Sequence, residues 1–425
     1  MSQNHRDSSD LELVVAQANP GCDRPARFAF RFLTAARRVT PEGMAYRRNH
    51  FTWTAFGALF AFGYGNAVLG PSLPYIRSAE GISYLVGAAH QVAIAAGGGM
   101  AGLLLTRDRL PLGRRSMVAV GLGGAALAGL ALGYGNAAAI TIPAALLMGL
   151  LATLALIRVW AALADAHGPR RAVAMSEGEV AVSLAGIVTP LVIGALAETA
   201  VSWRFAFVVG AGIVASAVLL VLRADFPEAS SRTEERARPG GLQPTLMIVV
   251  AIVALEFALS FWLASYLNES VGIVRATAVA LVSVLYTANL AGRVVASRLA
   301  RTQSPERVLV LAMTSVLCGI PFLLAATGAL AAVIGIVLAG AGIGALFPLT
   351  SSLHVQASGG TADSALGEIL SVAAIGQMGG PLLAGAIAQA VSLRAGLLVM
   401  LPTLLLAAAA GLAVHRRQTS RVTSA

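Results

Sequence analysis

Charged residues are scarce in this chain of 425 residues: they make up 12% of it, whereas 57% is hydrophobic. Soluble domains carry about 25% charged residues, so the composition excludes a surface that faces water throughout. Lysine is absent, and all 30 basic residues are arginine. The only cysteines, Cys22 and Cys318, exclude a disulfide framework or a cysteine metal site. The composition therefore predicts a protein whose surface mostly faces lipid.

Motifs of several other functions are also missing. Without lysine the chain cannot contain the phosphate-binding loop G-x-x-x-x-G-K-[ST], so an ATP-driven pump is not expected. His167 and His354 have no second ligand at metal spacing. We therefore expect no enzymatic activity, no metal and no cofactor. The net charge of +10 does not indicate nucleic acid binding, because the arginines follow the topology of a membrane protein.

Long apolar runs are abundant. A transmembrane helix needs about 20 apolar residues, and twelve segments come close to that length. The chain is thus predicted to be an all-α membrane protein with about twelve transmembrane helices. The predicted spans lie near 52–74, 83–105, 116–136, 138–163, 172–198, 203–222, 245–267, 274–300, 307–327, 330–353, 365–391 and 393–414.

The arginines are distributed unevenly between the two ends of these spans. With the N-terminus placed inside, 25 arginines fall on the inner side and 4 on the outer side, and Arg158 lies within a span. Basic loops remain in the cytoplasm. Both termini, residues 1–49 and 416–425, are therefore expected to be cytoplasmic tails in an inner or plasma membrane. The four outer arginines are Arg77, Arg204, Arg275 and Arg394.

The spans divide into two similar halves, 50–222 and 244–415, joined by a charged linker at 223–243 that contains Pro and Gly. A shift of 191 residues aligns the fifth span with the eleventh. Parallel repeats of this kind occur in transporters. The shift superimposes Glu177 on Glu368, Pro190 on Pro381, and Gly194 on Gly385.

Three motifs are recognisable in the spans and their connections. Span four contains Arg158, and span five contains Gly186 followed by Thr189-Pro190. Span eleven contains Gly376-x-x-x-Gly380-Pro381, which is similar to a motif of antiporters. The connection between spans two and three contains residues in an order similar to G-x-x-x-D-R-x-G-R-R. These are Gly102, Asp108, Arg109, Gly113 and Arg114.

On these motifs the chain resembles the major facilitator superfamily over residues 50–415. The resemblance implies two pseudo-symmetric six-helix bundles, the major facilitator fold, around a central cavity. It implies that the connection between spans two and three acts as a gating loop. It also implies that spans three, six, nine and twelve form an outer scaffold. Their interiors lack charge, whereas Arg158, Glu256 and Arg293 lie in other spans.

Ionisable groups inside the membrane cost about 2.5–3.5 kcal/mol each on insertion scales, so they are candidates for function. Glu256 lies at the midpoint of the apolar run Leu246–Leu267. It could couple transport to protons, or it could be a protonated carboxyl that bonds within the bundle. Arg158 and Glu177 are expected at similar depth, as a proton-linked pair or as a structural clamp. Glu179 is expected to pair with the basic turn at 170–171.

Uncharged polar and aromatic residues are candidates for the wall of a substrate cavity. Hydrogen bonds between helices, or anchoring of the aromatic rings at the membrane interface, are the alternative explanations. The cavity candidates are Tyr64, Asn66, Gln91, Trp262, Tyr286, Asn289 and Gln377.

The sequence therefore predicts a secondary active transporter that moves a small organic solute by alternating access. Proton-coupled export is favoured, and proton-coupled uptake of a metabolite is the alternative. A membrane sensor or partner protein on the same scaffold, without transport, would instead have a packed interior. The expected partners are the solute, protons and the lipid bilayer, and the expected state is a monomer.

Overall fold

The computed structural model describes residues 47–106, 112–227, 244–357 and 362–405. Within these ranges the chain is helical and contains no β-strand. The helices are α1 His50–Glu80, α2 Tyr84–Thr106, α3 Arg114–Tyr134, α4 Ala138–His167, α5 Arg171–Ala197, α6 Phe205–Arg223, α7 Pro244–Glu269, α8 Arg275–Leu299, α9 Pro305–Leu324, α10 Ala329–Ala357, α11 Ala362–Ala390 and α12 Leu393–Leu405.

These helices coincide with the predicted spans to within a few residues, which confirms the predicted fold class. Nine of the described helices are long and apolar enough to cross a membrane. Of the other three, α1 and α11 have 31 and 29 residues, and α12 is described only as far as Leu405. At 1.5 Å per residue, α1 and α11 exceed the hydrocarbon thickness of about 30 Å.

Local sequence explains where several helices begin and end. Asn49 caps α1 in a capping box with Thr52, and Gly81 ends the helix at φ 65°, a conformation that glycine adopts without strain. A break at Leu281 divides α8 into Arg275–Ala280 and Val282–Leu299.

The connections between consecutive helices within each half are short, so consecutive helices are antiparallel. We call the end at which α1 begins the near face, and the end at which α1 ends the far face.

Apolar side chains cover much of the outer surface, as expected for a protein in lipid. Leu127, Val310 and Leu330 are more than half exposed. Among the nine candidate spans, α7 is the most buried, at 72% of its apolar window, and α6 is the least buried, at 28%. Helix α7 is therefore central, whereas α6 lies at the periphery.

Helix packing repeats between the first six helices and the last six. In the first half the main neighbours are α1 with α5, α2 with α4, and α3 with α4. In the second half they are α7 with α11, α8 with α10, and α9 with α10, the same pairs six helices later. The halves meet through α2 and α11, α5 and α8, and α1 and α7. This arrangement is a pseudo-twofold repeat, as the 191-residue shift predicts.

The two halves are joined tightly at the far face. Arg77 at the end of α1 forms a salt bridge of 2.8 Å with Glu269 at the end of α7. The hydroxyl of Tyr84 donates to the same carboxylate, and the Arg77 guanidinium lies 3.7 Å from the centre of the Tyr84 ring. The Tyr84 amide donates to Gln389 of α11. We call Arg77, Tyr84, Glu269 and Gln389 the far-face latch.

Candidate functional site

A cavity of about 340 Å³ lies between the two halves. Small-molecule sites span about 300–1,000 Å³, so this cavity is of the size of a small ligand. Its lining comes from α1, α2, α4 and α5 of the first half and from α7, α8, α10 and α11 of the second. No lining residue comes from the described parts of α3, α6, α9 or α12. The scaffold expected from the charge pattern consists of the same four helices.

Three charged side chains line this cavity, and they come from both halves. Arg293 Nη2 of α8 lies 3.9 Å from Glu256 Oε1 of α7. Arg293 Nη1 lies 3.8 Å from Glu179 Oε2 of α5, across the boundary between the halves. Asn289 Nδ2, one helical turn before Arg293, donates to Glu256 Oε1 at 2.9 Å. We call Glu179, Arg293 and Glu256 the charge triad.

The two carboxylates of the charge triad differ in their surroundings. Glu256 has an amide donor as well as the arginine, and its side chain is 22% exposed. Glu179 has only the distant arginine among the described residues, and its side chain is 54% exposed. Both arginine contacts exceed hydrogen-bond length, and Arg293 Nε is buried without a hydrogen-bond partner in the described chain. The triad is therefore held by charge rather than by directed bonds.

Five of the seven residues proposed from the sequence as cavity candidates lie in the lining. These five are Asn66, Gln91, Tyr286, Asn289 and Gln377. Tyr64 and Trp262 lie elsewhere, because each is buried and uses its polar atom within the bundle. The Tyr64 hydroxyl donates to the Ala206 carbonyl at 2.9 Å, and Trp262 Nε1 donates to the Pro381 carbonyl at 3.0 Å. They therefore pack helices against each other.

Glu179 and Arg293 belong to the site, although Glu179 was expected to pair with the basic turn at 170–171. A sequence signal for Arg293 existed. Tyr286, Asn289 and Arg293 are spaced three and four residues apart, so they share one face of α8. That polar stripe on an apolar helix predicts the wall of a cavity. The position of Glu179 opposite α8 depends on how the halves dock, which helical periodicity does not reveal.

Arg158 and Glu177 are separate in the structure, contrary to the expected pair. Glu177 lies near the start of α5 and accepts from Arg48, which precedes α1, at 2.6 and 2.9 Å. Arg158 turns toward α3, where its Nε lies 3.3 Å from Met117 Sδ. Neither residue lines the cavity. The two residues are equally distant in sequence from the turn between α4 and α5, which predicted a similar depth in the membrane. That distance does not determine the direction in which each side chain points.

A Thr–His contact occurs at the near face of both halves. Thr52 Oγ1 of α1 lies 2.8 Å from His167 Nε2 at the end of α4. Thr245 Oγ1 of α7 lies 2.6 Å from His354 Nδ1 near the end of α10. In the second half His354 has a further partner, because its Nε2 lies 3.3 Å from Glu368 Oε2. The two histidines thus tie the first and fourth helices of each half together.

The gating-loop motif is described only in part. Gly102 lies in α2 and Gly113 caps the start of α3. Arg114 forms a salt bridge of 2.7 Å with Asp165, at the near-face end of α4, and also donates to the Pro227 carbonyl. This residue therefore links the start of α3 to the ends of α4 and α6. Asp108 and Arg109 lie outside the described residues.

The glycine motif of span eleven packs α11 against α7. A Cβ at Gly376 or Gly380 would overlap the backbone of Val250 or Ala254 in α7, so both positions require the absence of a side chain. Pro381 accepts the hydrogen bond from Trp262 of the same pair of helices. Pro190 in α5 is buried, and a Cβ at Gly186 one turn earlier would lie 3.1 Å from the Tyr286 ring of α8.

Two repeat-related halves of helices around a central cavity, with an apolar outer surface, define a multi-pass membrane protein with a transporter fold. The Major Facilitator Superfamily profile matches residues 55–367. The chain belongs to this superfamily. No curated protein matches it in sequence.

Solved transporters of low sequence identity share the fold. A bacterial homologue of the human lysosomal transporter Spinster, in an inward-facing and occupied conformation, is similar with a TM-score of 0.70 and 16% identity, over 88% of this chain and 98% of that one. The nucleoside transporter NupG gives a TM-score of 0.67 and 13% identity, over 86% and 98%. A D-xylose-proton symporter gives a TM-score of 0.61 and 15% identity, over 83% of this chain and 96% of that one. At these identities the similarity concerns the fold.

Proposed function

We propose that the chain is a secondary active transporter that exports a small organic solute through the central cavity in exchange for protons. The observation that carries this proposal is the position of Glu256, an ionisable carboxyl in a cavity lined by both halves. Carboxyl groups at such depth are costly and default to functional roles. The near face, at which the basic N-terminal segment enters α1, is then the cytoplasmic face.

The distribution of contacts between the halves supports alternating access. The far-face latch closes the cavity on one side through Arg77, Glu269 and Tyr84. Its contacts hold α1 and α2 against α7 and α11, so the described arrangement is closed at the far face. Rocking of one half against the other would reverse this.

The charge triad supplies a route by which a proton could drive that motion. While Glu256 is ionised, Arg293 is shared between a carboxylate of its own half and one of the other half. Protonation of Glu256 removes one of these attractions, so Arg293 is free to pair more closely with Glu179. That pairing would draw α8 toward α5 and favour closure of the near face. A coupling of about 1–3 kcal/mol would change the ratio of the two states about 5–150-fold.

Glu256→Gln tests this function in membrane vesicles from an expressing host. A panel of radiolabelled organic solutes is offered to vesicles with an imposed pH gradient, with and without an uncoupler. We expect gradient-driven flux to be lost in the variant, whereas exchange of labelled for unlabelled solute without a gradient persists. Glu198→Gln, the same change at an exposed end of α5, is the matched control and should transport as the wild type does.

The same assay separates the competing functions. Accumulation in inside-out vesicles with an acidic interior supports export. Accumulation in right-side-out vesicles with an acidic exterior supports the uptake alternative, and a proton symporter is among the proteins that share the fold. Undiminished gradient-driven flux through Glu256→Gln would overturn the role of this residue. Absence of any flux would favour a sensor, although the cavity counts against a packed interior.

A further inference from the structure

The charge balance of the cavity limits which solutes it can hold. Among the described residues two carboxylates and one guanidinium line it, so these groups carry a net charge of −1 when all three are ionised. We propose that the solute is an organic cation with bulky apolar or aromatic substituents, and that Glu179 recognises its positive charge. This inference rests on the proposed function, because it names the solute class of the same cavity.

The unneutralised charge lies at Glu179 rather than at Glu256. Glu256 is compensated by the Asn289 amide and by Arg293, whereas Glu179 makes no hydrogen bond within the described chain and has only Arg293 at 3.8 Å. Its side chain is also the more exposed of the two, so a solute can reach it. A cation beside Glu179 therefore gains an attraction to a carboxylate that accepts no side-chain hydrogen bond from the described residues.

An organic anion does not fit this arrangement. Arg293, the one cationic group among the described lining residues, lies within 4 Å of both carboxylates. An anion that paired with Arg293 would therefore approach two like charges at the same time, which disfavours binding. The guanidinium is already shared by two carboxylates, and a third would have to displace one of them.

The remaining wall favours an apolar cation over a hydrated one. Aromatic rings from five helices line the cavity, and ring faces attract cations by about 0.5–2 kcal/mol. Rings cannot replace the hydration shell of an inorganic cation, which requires six or more oxygen ligands when it is calcium. A lipophilic amine or quaternary cation matches both the rings and the carboxylate. The rings belong to Phe62, Trp160, Phe257, Phe261, Tyr286 and Phe347.

A cationic solute also explains why exchange with protons would be favoured. A proton on Glu256 raises the charge of the cavity from −1 to zero and leaves Arg293 to neutralise Glu179. Binding of the cation and binding of the proton then oppose each other through the same guanidinium. Opposed binding gives exchange, whereas mutually favourable binding gives symport.

The test uses two ions of the same shape and opposite charge, tetraphenylphosphonium and tetraphenylborate. Binding of tritiated tetraphenylphosphonium to the purified full chain in detergent is measured at equilibrium, with subtraction of binding to empty micelles. We expect Glu179→Gln to weaken binding at least about tenfold, equivalent to about 1.4 kcal/mol. Glu198→Gln, at the end of the same helix and outside the cavity, should bind as the wild type does. Tritiated tetraphenylborate, offered alone in parallel samples, should show no specific binding.

Arg293→Gln should have the opposite effect to Glu179→Gln, because it removes the guanidinium that neutralises the two carboxylates. It should bind tetraphenylphosphonium more tightly than the wild type, which a misfolded variant could not do. Specific binding of tetraphenylborate, wild-type affinity in Glu179→Gln, or absence of specific binding of tetraphenylphosphonium would each overturn the inference. The binding assay needs no gradient and no flux. Gradient-driven flux of another solute without cation binding therefore refutes the solute class alone, whereas binding without any flux refutes the transport function alone.

Discussion

At the scale of single residues, a charge inside an apolar run identified a residue of the cavity, whereas the charge pair expected from the sequence did not form. Glu256 stood out because it interrupts a long apolar run, and the structure places it in the cavity with Arg293. The proposed partnership of Arg158 and Glu177 failed because each side chain contacts a different residue, Met117 in α3 and Arg48 before α1. Depth can be read from a sequence, but side-chain direction requires the rotation of each helix about its axis.

Tyr64→Phe tests whether this tyrosine packs helices rather than binds solute. The hydroxyl is buried and donates to the Ala206 carbonyl of α6, so the substitution removes one hydrogen bond between α1 and α6. Such a loss costs about 0.5–1.5 kcal/mol. We expect a lower midpoint of thermal unfolding and unchanged affinity for tetraphenylphosphonium. Reduced affinity at an unchanged midpoint would instead return Tyr64 to the cavity wall.

At the scale of helices, the sequence predicted existence, order and approximate ends, because a span needs about 20 apolar residues whatever its neighbours are. The repeat between the fifth and eleventh spans anticipated the equivalent packing of α5 on α1 and of α11 on α7. The contact of α5 with α8 was not predictable. It depends on how the two halves dock, which helical periodicity does not reveal.

Gly380→Ala tests the packing of α11 on α7. The new methyl group would overlap the Ala254 carbonyl, and overpacking of this kind costs about 1–3 kcal/mol. The neighbouring Gly379 has no atom within 4 Å of the equivalent position. Gly379→Ala is therefore the matched control, with the same gain in helix propensity. We expect a lower unfolding midpoint for Gly380→Ala alone, and equal midpoints for both variants would contradict the packing.

At the scale of the whole molecule, two halves are held together at one face and separated by a cavity toward the other. The far-face latch joins α1 and α2 to α7 and α11 through ions and aromatic rings. The charge triad joins α5 to α7 and α8 beside the cavity. In the transport cycle that we propose, a proton at Glu256 changes the balance of the triad, and the latch opens when the near face closes. The cycle therefore requires a link between one carboxyl and the arrangement of the two six-helix halves.

Distances between spin labels on the two halves test this link most directly. Labels at Ala166→Cys and Gln303→Cys report on the near face, and labels at Asn136→Cys and Thr327→Cys report on the far face. All four positions are exposed, and Cys22 and Cys318 are replaced by serine. Pulsed electron paramagnetic resonance measures each pair at acidic and at alkaline pH.

Acidic pH should shorten the near-face distance and lengthen the far-face distance in the otherwise unchanged protein. Glu256→Gln, which is neutral at every pH, should show the acidic distribution under both conditions. Glu198→Gln should respond as the parent protein does. A shift with pH in Glu256→Gln as large as in its parent, or no shift in the parent, would contradict the claim that this carboxyl controls the movement of the halves.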